Sequence, residues 1–373
     1  MKIVIAPDSF KGSASSSEIS QWLSDGITSH ISQYGIEPLN LTLIPIADGG
    51  EGSLDAAMHA GFVAQHFTVS GPTGNPVRAR IGVRGDVALV ELAEASGLNQ
   101  LADHRKEPML ASSFGTGELI ARALDTGAKK IILAIGGSAC TDAGAGALQA
   151  LGAHLRDGDG TEIPHGGAAL LQCASIELSA LDSRIASTEF ILASDVENPL
   201  TGPNGAAFIY GPQKGASPDE VRQLDAALSH FASIAGDKHL VTAGAGAAGG
   251  FGFMALTFLS ARGQSGIETF LAMSNFDSLI EGADYVITGE GRFDAQSMSG
   301  KAPMGVYAAA SKKDVPVILV CGQALLNSSG NNSIPFHSIF QLTDFESDLS
   351  KCINNPRPIV EKIGKAIAES LIK

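Results

Sequence analysis

The 373-residue chain is short of several things at once. Its four cysteines, Cys140, Cys173, Cys321 and Cys352, form no CxxC pair and have no histidine at metal spacing, which excludes a disulfide framework and a zinc site. A reducing compartment is the simple expectation. Only 17 % of residues are charged and 6 % aromatic, and no Lys/Arg cluster interrupts a net charge of −14, so no nucleic-acid partner is expected. No apolar run approaches a membrane span, and the opening MKIVIAPDSF reads as a short strand and a turn rather than a signal segment. The expectation is a soluble, cytoplasmic protein with no membrane partner. No GxSxG elbow surrounds Ser9, Ser112 or Ser138, which weakens a hydrolase reading. Protein-kinase signatures are missing, and the nearest approach to a Walker A motif, AQSMSGK at 295–301, lacks its first glycine and final Ser/Thr.

What is present is small-residue packing material: 44 % hydrophobic residues and 44 glycines, in a length that suits two domains. Short β-rich apolar runs recur at 3–6, 41–46, 87–92, 131–135, 191–193, 285–287 and 315–320. Helical segments alternate with them, which predicts an α/β architecture with buried parallel strands. The pattern Ser15-Ser16-Ser17-Glu18 predicts a capping box, followed by an apolar stripe of Ile19, Trp22, Leu23 and Ile27. Alternating residues after the turn 69–74 suggest antiparallel strands. That shift places a domain boundary near Gly71, with a return near 263–266, so the first domain is expected to be discontinuous.

Ligand sites in such sheets lie beyond the carboxyl ends of strands. Asp8, Asp48, Glu51, Asp142, Asp195, Glu290 and Asp294 all fall in glycine-rich or turn sequences of that kind, with Lys11, Lys214, Arg292 and Lys301 in similar loops. Phosphoryl transfer needs such carboxylates and cations. Each acid taken alone is equally well a cap or turn former. The loops 136–142 and 113–118 could cradle phosphates, or serve close strand-to-helix packing. Gly244 to Gly249 fits the dinucleotide pattern, with Glu268 near the acidic position about 20 residues on, the basis of an alternative NAD-dependent dehydrogenase reading.

In order along the chain, MKIVIAPDSFKGS, PIADGGEGS, SSFGTGE, IGGSACTDAGAG, SDVENPLTGPNGAA, GPQKGA, GAGAAGG and TGEGRFDAQSMSGKAP make the sequence similar to the class I bacterial glycerate kinases over nearly its whole length. GAGAAGG is then a family segment rather than a dinucleotide site. Cys140 stands where the family commonly has Thr, Ala143 where it often has Gly, and SMSGK departs from its usual string. The resemblance implies a two-domain α/β fold: a flavodoxin-like domain of residues 1–71 plus 265–373, and an inserted domain of 72–264 with its own mixed sheet. It implies ATP and Mg2+ as cofactors and D-glycerate as substrate. 2-Phosphoglycerate is the preferred product and 3-phosphoglycerate the alternative. The active site is expected in the cleft between the domains of a monomer or homodimer.

Within that frame Asp195 is the first candidate to orient or deprotonate the acceptor hydroxyl, with Asn198 positioning it. Lys11 and Arg292 are expected on the glycerate carboxylate or the γ-phosphate. Asp8, Ser9, Asp48, Glu51 and Asp294 are expected to touch substrate, Asp48 and Asp294 being also the candidate magnesium ligands. Gly136, Gly137, Ser138, Thr141 and Asp142, together with Gly115, Thr116, Glu290 and Lys301, are expected to hold ATP.

Overall fold

The computed structural model describes residues 1–34, 39–101, 105–294, 297–299, 301–325 and 335–372. Among these, thirteen strands follow one another: β1 (Lys2–Pro7), β2 (Asn40–Leu43), β3 (Val63–Ser70), β4 (Pro76–Arg84), β5 (Val87–Glu91), β6 (Lys130–Ala134), β7 (His154–Arg156), β8 (Ser175–Glu177), β9 (Glu189–Ala193), β10 (Arg262–Gln264), β11 (Tyr285–Phe293), β12 (Val317–Ala324) and β13 (Ser338–Gln341). The chain divides into two compact units, one of Met1–Asp48, Asp55–Ala60 and Ile267–Lys373, the other of Gly49–Leu54 and Gly61–Gly266.

The first unit is built on a five-stranded sheet in the order β13-β12-β11-β1-β2, with every neighbouring pair parallel. Taken by appearance in this sheet, that is the flavodoxin-like order, whose direction reverses between its first and third strands, here β1 and β11. β1 is β-branched and buried on both faces, as a central parallel strand must be. One face is covered by the helices Ser16–Tyr34 and Arg357–Ile372, which pack Ile19, Leu23, Ile27, Val360 and Ile363 against it. The predicted capping box forms: Ser15 N donates to Glu18 Oε2 at 2.9 Å and Glu18 N to Ser15 Oγ at 3.2 Å. These two helices touch backbone to backbone, because a Cβ on Gly26 would strike the Glu361 carbonyl and one on Gly364 the Leu23 carbonyl. The other face carries Ile267, Leu271, Phe276 and Val306.

The second unit holds a six-stranded mixed sheet in the order β10-β9-β6-β5-β4-β3. β5, β6, β9 and β10 run parallel, while β4 is antiparallel to both β3 and β5. β3 belongs to this sheet, so the turn at Gly71 is the tip of the β3–β4 hairpin rather than a boundary. The chain leaves the first unit earlier because the antiparallel alternation already starts at Val63.

Residues 240–242, the strand that the dinucleotide reading needs, are not a strand. The glycines after them serve close packing instead. A Cβ on Gly246 would collide with the Pro199 carbonyl, and one on Gly249, whose φ is +69°, with that of Cys140. In the segment Ala247–Phe258 that follows, Ala248, Gly249 and Gly250 all have positive φ and kink the chain before the helix proper. Among the described residues no helix is long and apolar enough to cross a membrane.

Candidate active site

In the first unit the carboxyl ends of β1 and β11 converge on a cavity of about 410 Å3 at the switch point. β1 delivers Asp8, whose amide donates to Gly289 O at 2.8 Å, and Ser9, whose amide donates to Asp8 Oδ1 at 2.7 Å. The expected strand 41–46 is assigned only to Leu43, but the chain keeps following β1: Ile44 N donates to Ile5 O and Ile46 N to Pro7 O. That path brings Asp48 to the cavity, 3.6 Å from Lys11 Nζ. β11 runs further than expected, to Phe293, so Glu290 and Arg292 sit on the strand itself, two residues apart and on one face. Gly291 between them gives room for Phe10, which lies 3.3 Å from where a Cβ would be. Asp294 pairs with Arg292 at 3.4 Å, and Lys301 begins the helix Ala302–Ser311. Ala295, Gln296 and Gly300 of the near-Walker string lie outside the described residues.

This crowding of acids sets the electrostatics. Burial raises the Asp8 carboxyl well above its usual range, reinforced by Asp48 and opposed by Lys11. Burial likewise raises Glu290 to about 7, with Lys301 opposing and Asp48 and Asp294 reinforcing. Asp48 in turn raises the pKa of Lys11, whose side chain is 67 % exposed. Glu290 Oε1 is buried with no hydrogen-bond partner among the described residues. Lys11, Arg292 and Lys301 in the same lining suit an anionic ligand, while the orphaned carboxyl oxygen suits a hydroxyl donor or a bound cation. No group of three His, Cys, Asp or Glu side chains among the described residues forms a metal cage. One or two carboxylates completed by phosphate oxygens are the usual magnesium set, and Asp48 and Asp294 fit that pattern.

The second unit has its own polar cluster, at the carboxyl ends of the adjacent parallel strands β5, β6 and β9. Glu91 ends β5 and is buried; its carboxylate accepts from Gly52 N at 3.0 Å and Leu54 N at 2.8 Å, capping the helix Ser53–His59. Gly136, Gly137 and Ser138 follow β6. Gly136 N donates to Gly49 O and Ala139 N to Ser96 O, whereas the amides of Gly137 and Ser138 donate to nothing among the described residues. Gly137, at φ +75°, lies beside Glu51, which accepts from Asn99 Nδ2 at 3.2 Å. Behind the loop, Lys214 is 2 % exposed and donates to Ser138 Oγ at 2.8 Å and to Cys140 O at 2.5 Å. Burial lowers its pKa. Asp195 follows β9, is exposed, and accepts from Gly266 N at 3.0 Å. Asn198 is engaged on both sides, donating to Asn204 O and accepting from Tyr210 OH.

Four of the expected nucleotide-binding residues are interior. Asp142 accepts from Ser113 N at 2.8 Å and Ser113 Oγ at 2.9 Å, and more weakly from Ser112 Oγ, Gly144 N and Gly146 N. Thr116 Oγ1 donates to Ser96 Oγ at 2.8 Å, and a Cβ on Gly115 would strike the Ser70 carbonyl. Thr141 Oγ1 is buried without a partner among the described residues. Glu91 was not singled out by the sequence, although an acid closing a buried apolar strand is the same signal that marked Asp195. Lys214 was noted only as one cation among several, because burial is not visible in GPQKGA.

The parallel sheet, its switch-point cavity and the pairing of loop carboxylates with cations define an α/β enzyme equipped to handle anionic groups. Residues 3–372 match the model of the glycerate kinase family, and the chain belongs to that family. It is 43 % identical over 379 residues to a glycerate kinase of Bacillus subtilis, covering 100 % of this chain and 98 % of that one. To the glycerate 2-kinase of Escherichia coli it is 45 % identical over 331 residues, covering 86 % of this chain and 85 % of the relative. A crystal structure from Salmonella typhimurium LT2, assigned as glycerate kinase 2, superposes with a TM-score of 0.83 at 39 % identity, covering 100 % of this chain and 98 % of that one.

Proposed function

We propose that this protein transfers the γ-phosphate of ATP to the 2-hydroxyl of D-glycerate, giving 2-phosphoglycerate and ADP in the cytoplasm. The observation that carries the reading is the switch-point cavity, where Lys11, Arg292 and Lys301 meet Asp8, Asp48, Glu290 and Asp294 in a chain that is glycerate kinase-like from end to end. The relative named glycerate 2-kinase supports the 2-hydroxyl.

Each polar cluster carries groups of a kind the reaction needs. Lys11, Arg292 and Lys301 hold the polyphosphate and follow the charge that builds on the transferred group. Magnesium, when bound, neutralises phosphate charge, and Asp48 and Asp294 are the carboxylates that would hold it. Gly136 N and Ala139 N are already bonded, so the loop of Gly137 and Ser138 has two amides and one hydroxyl to offer. That set suits a small anion such as the glycerate carboxylate better than a polyphosphate. As an ammonium, Lys214 donates to Ser138 Oγ, which leaves the Ser138 proton free to point outward as a donor. Asp195, steadied by the Gly266 amide, takes or orients the proton of the acceptor hydroxyl.

The test is to incubate the protein with D-glycerate, ATP and magnesium and identify the product by phosphorus NMR. A glycerate-dependent 2-phosphoglycerate signal is expected. A 3-phosphoglycerate signal corrects the acceptor hydroxyl, and folded protein giving neither product overturns the proposal.

A further inference from the structure

The switch-point cavity is not evenly polar. After β13 the chain returns along it and, among the described residues, contributes only apolar or thiol side chains to its lining: Leu342, Leu349, Cys352 and Ile353. Three of these, Leu349, Cys352 and Ile353, are spaced i, i+3 and i+4 on the short helix Leu349–Asn354, so they form one stripe. Leu349 is 54 % exposed and Ile353 51 %. Large aliphatic side chains left in water are unremarkable singly, but here they line one cavity together with three cations. The stripe is also held in place. Ser13 Oγ donates to Ile353 O at 2.6 Å, tying the helix to the loop that carries Asp8 and Lys11, and the Asp348 carboxylate caps the helix from Ser350 N at 2.9 Å. Cys352 turns its thiol inward, to Glu346 O at 3.3 Å.

A ligand that uses the whole cavity therefore needs an anionic end for Lys11, Arg292 and Lys301 and an apolar body for this wall. At about 410 Å3 the space is within the roughly 300–1,000 Å3 of pockets for drug-sized molecules. D-Glycerate is a three-carbon acid with no apolar body. Of the two substrates in the proposed reaction, only the nucleotide has both parts. We propose that Leu342, Leu349, Cys352 and Ile353 are the seat of the nucleotide base, with the phosphate chain directed from the helix Leu349–Asn354 towards Lys11 and Arg292. This deepens the kinase reading and rests on it for the identity of the ligand.

The experiment is calorimetric titration of the full chain with two probes, ADP and inorganic tripolyphosphate, using wild type, Leu349→Asn and Ile353→Asn. Both positions are exposed, so the variants are expected to keep the wild-type melting temperature. ADP affinity should fall about tenfold in each, the size expected for losing one aliphatic contact, while tripolyphosphate affinity stays unchanged. Lys11→Ala should weaken both probes. Unchanged ADP affinity in the two Asn variants overturns the seat even if glycerate kinase activity is intact, and so does equal weakening of both probes. Wild type that binds ADP with this selectivity but phosphorylates no glycerate supports the seat and rejects the kinase reading instead.

Discussion

In the first unit the loop acids surround an open cavity; in the second, several are consumed by the protein itself. Asp8 and Asp142 show the difference. Both are buried, Asp8 directly after β1 and Asp142 after β6 and a turn. Asp142 accepts from two serines and two further backbone amides, so its charge is fully answered inside the fold. Asp8 accepts the neighbouring Ser9 amide, and its carboxyl titrates high because burial and Asp48 both disfavour the charge. A carboxylate whose acceptor sites are saturated holds a loop together, whereas one left short of donors, among cations, is available to a ligand. Among the described residues of the second unit, Gly137 and Ser138 keep unspent backbone donors, and Asp195 is exposed.

The largest expected effect tests the saturated side. Asp142→Asn turns an acceptor into a donor facing Ser113 N–H and should cost about 3 kcal/mol, seen as a lower denaturant midpoint. A stability loss under about 1 kcal/mol would make Asp142 a poor example of a structural acid. Next in size, Asp195→Asn should lower kcat at least about a hundredfold with the melting temperature unchanged. A smaller loss in folded protein removes Asp195 from the role of base. Glu290→Gln probes the open cavity through pH. The folded pKa of Glu290, about 7, lies above the usual 4.5, so the stability its proton contributes is full below about 4.5 and is lost as pH rises through 7. Gln keeps the neutral form at every pH. The variant should therefore lose less stability between pH 5 and 8, and at pH 8 exceed wild type by on the order of 3 kcal/mol at most. Parallel pH–stability curves for the two proteins would contradict it. The smallest effect concerns Ala143, which is buried at φ +53° and donates its amide to Gly249 O at 3.1 Å. Ala143→Gly should relieve left-handed strain and stabilise by up to about 1 kcal/mol, measured by thermal unfolding.

The family, the α/β class and most strands were legible because each rests on local pattern: β-branched runs, a capping box, motifs in a fixed order. β11 was read short, since the glycines of TGEGR look like a loop. In the sheet, Gly289, Gly291 and Gly322 let backbones pass close, against Val320, Phe10 and Gly291, and the strand continues through them. The expected cofactor residues Gly115, Thr116 and Asp142 carried the right kind of signal, but glycine and aspartate mark tight packing as readily as binding. Only the partners of Asp142, supplied from residues 112–113 and 144–146, distinguish the two. The wall of Leu342, Leu349, Cys352 and Ile353 had no signature at all. Its place depends on where the last segment crosses the sheet, a tertiary fact that an apolar helix stripe does not announce.

The first sheet also imposes a timetable on biosynthesis. β1 leaves the ribosome well before its neighbour β11, with which it pairs from Ile3 opposite Tyr285 to Pro7 opposite Gly289. At about 5–20 residues per second, β1 waits roughly 15–60 s for that edge, with a β-branched apolar strand unpaired on that side. The second unit, finished by Gly266, is complete in the meantime. A ribosome-bound chain arrested just before β11 emerges should resist protease across 61–266 and be cut within 1–48. Holdase chaperones acting on the nascent chain would thus find their target at its first strand.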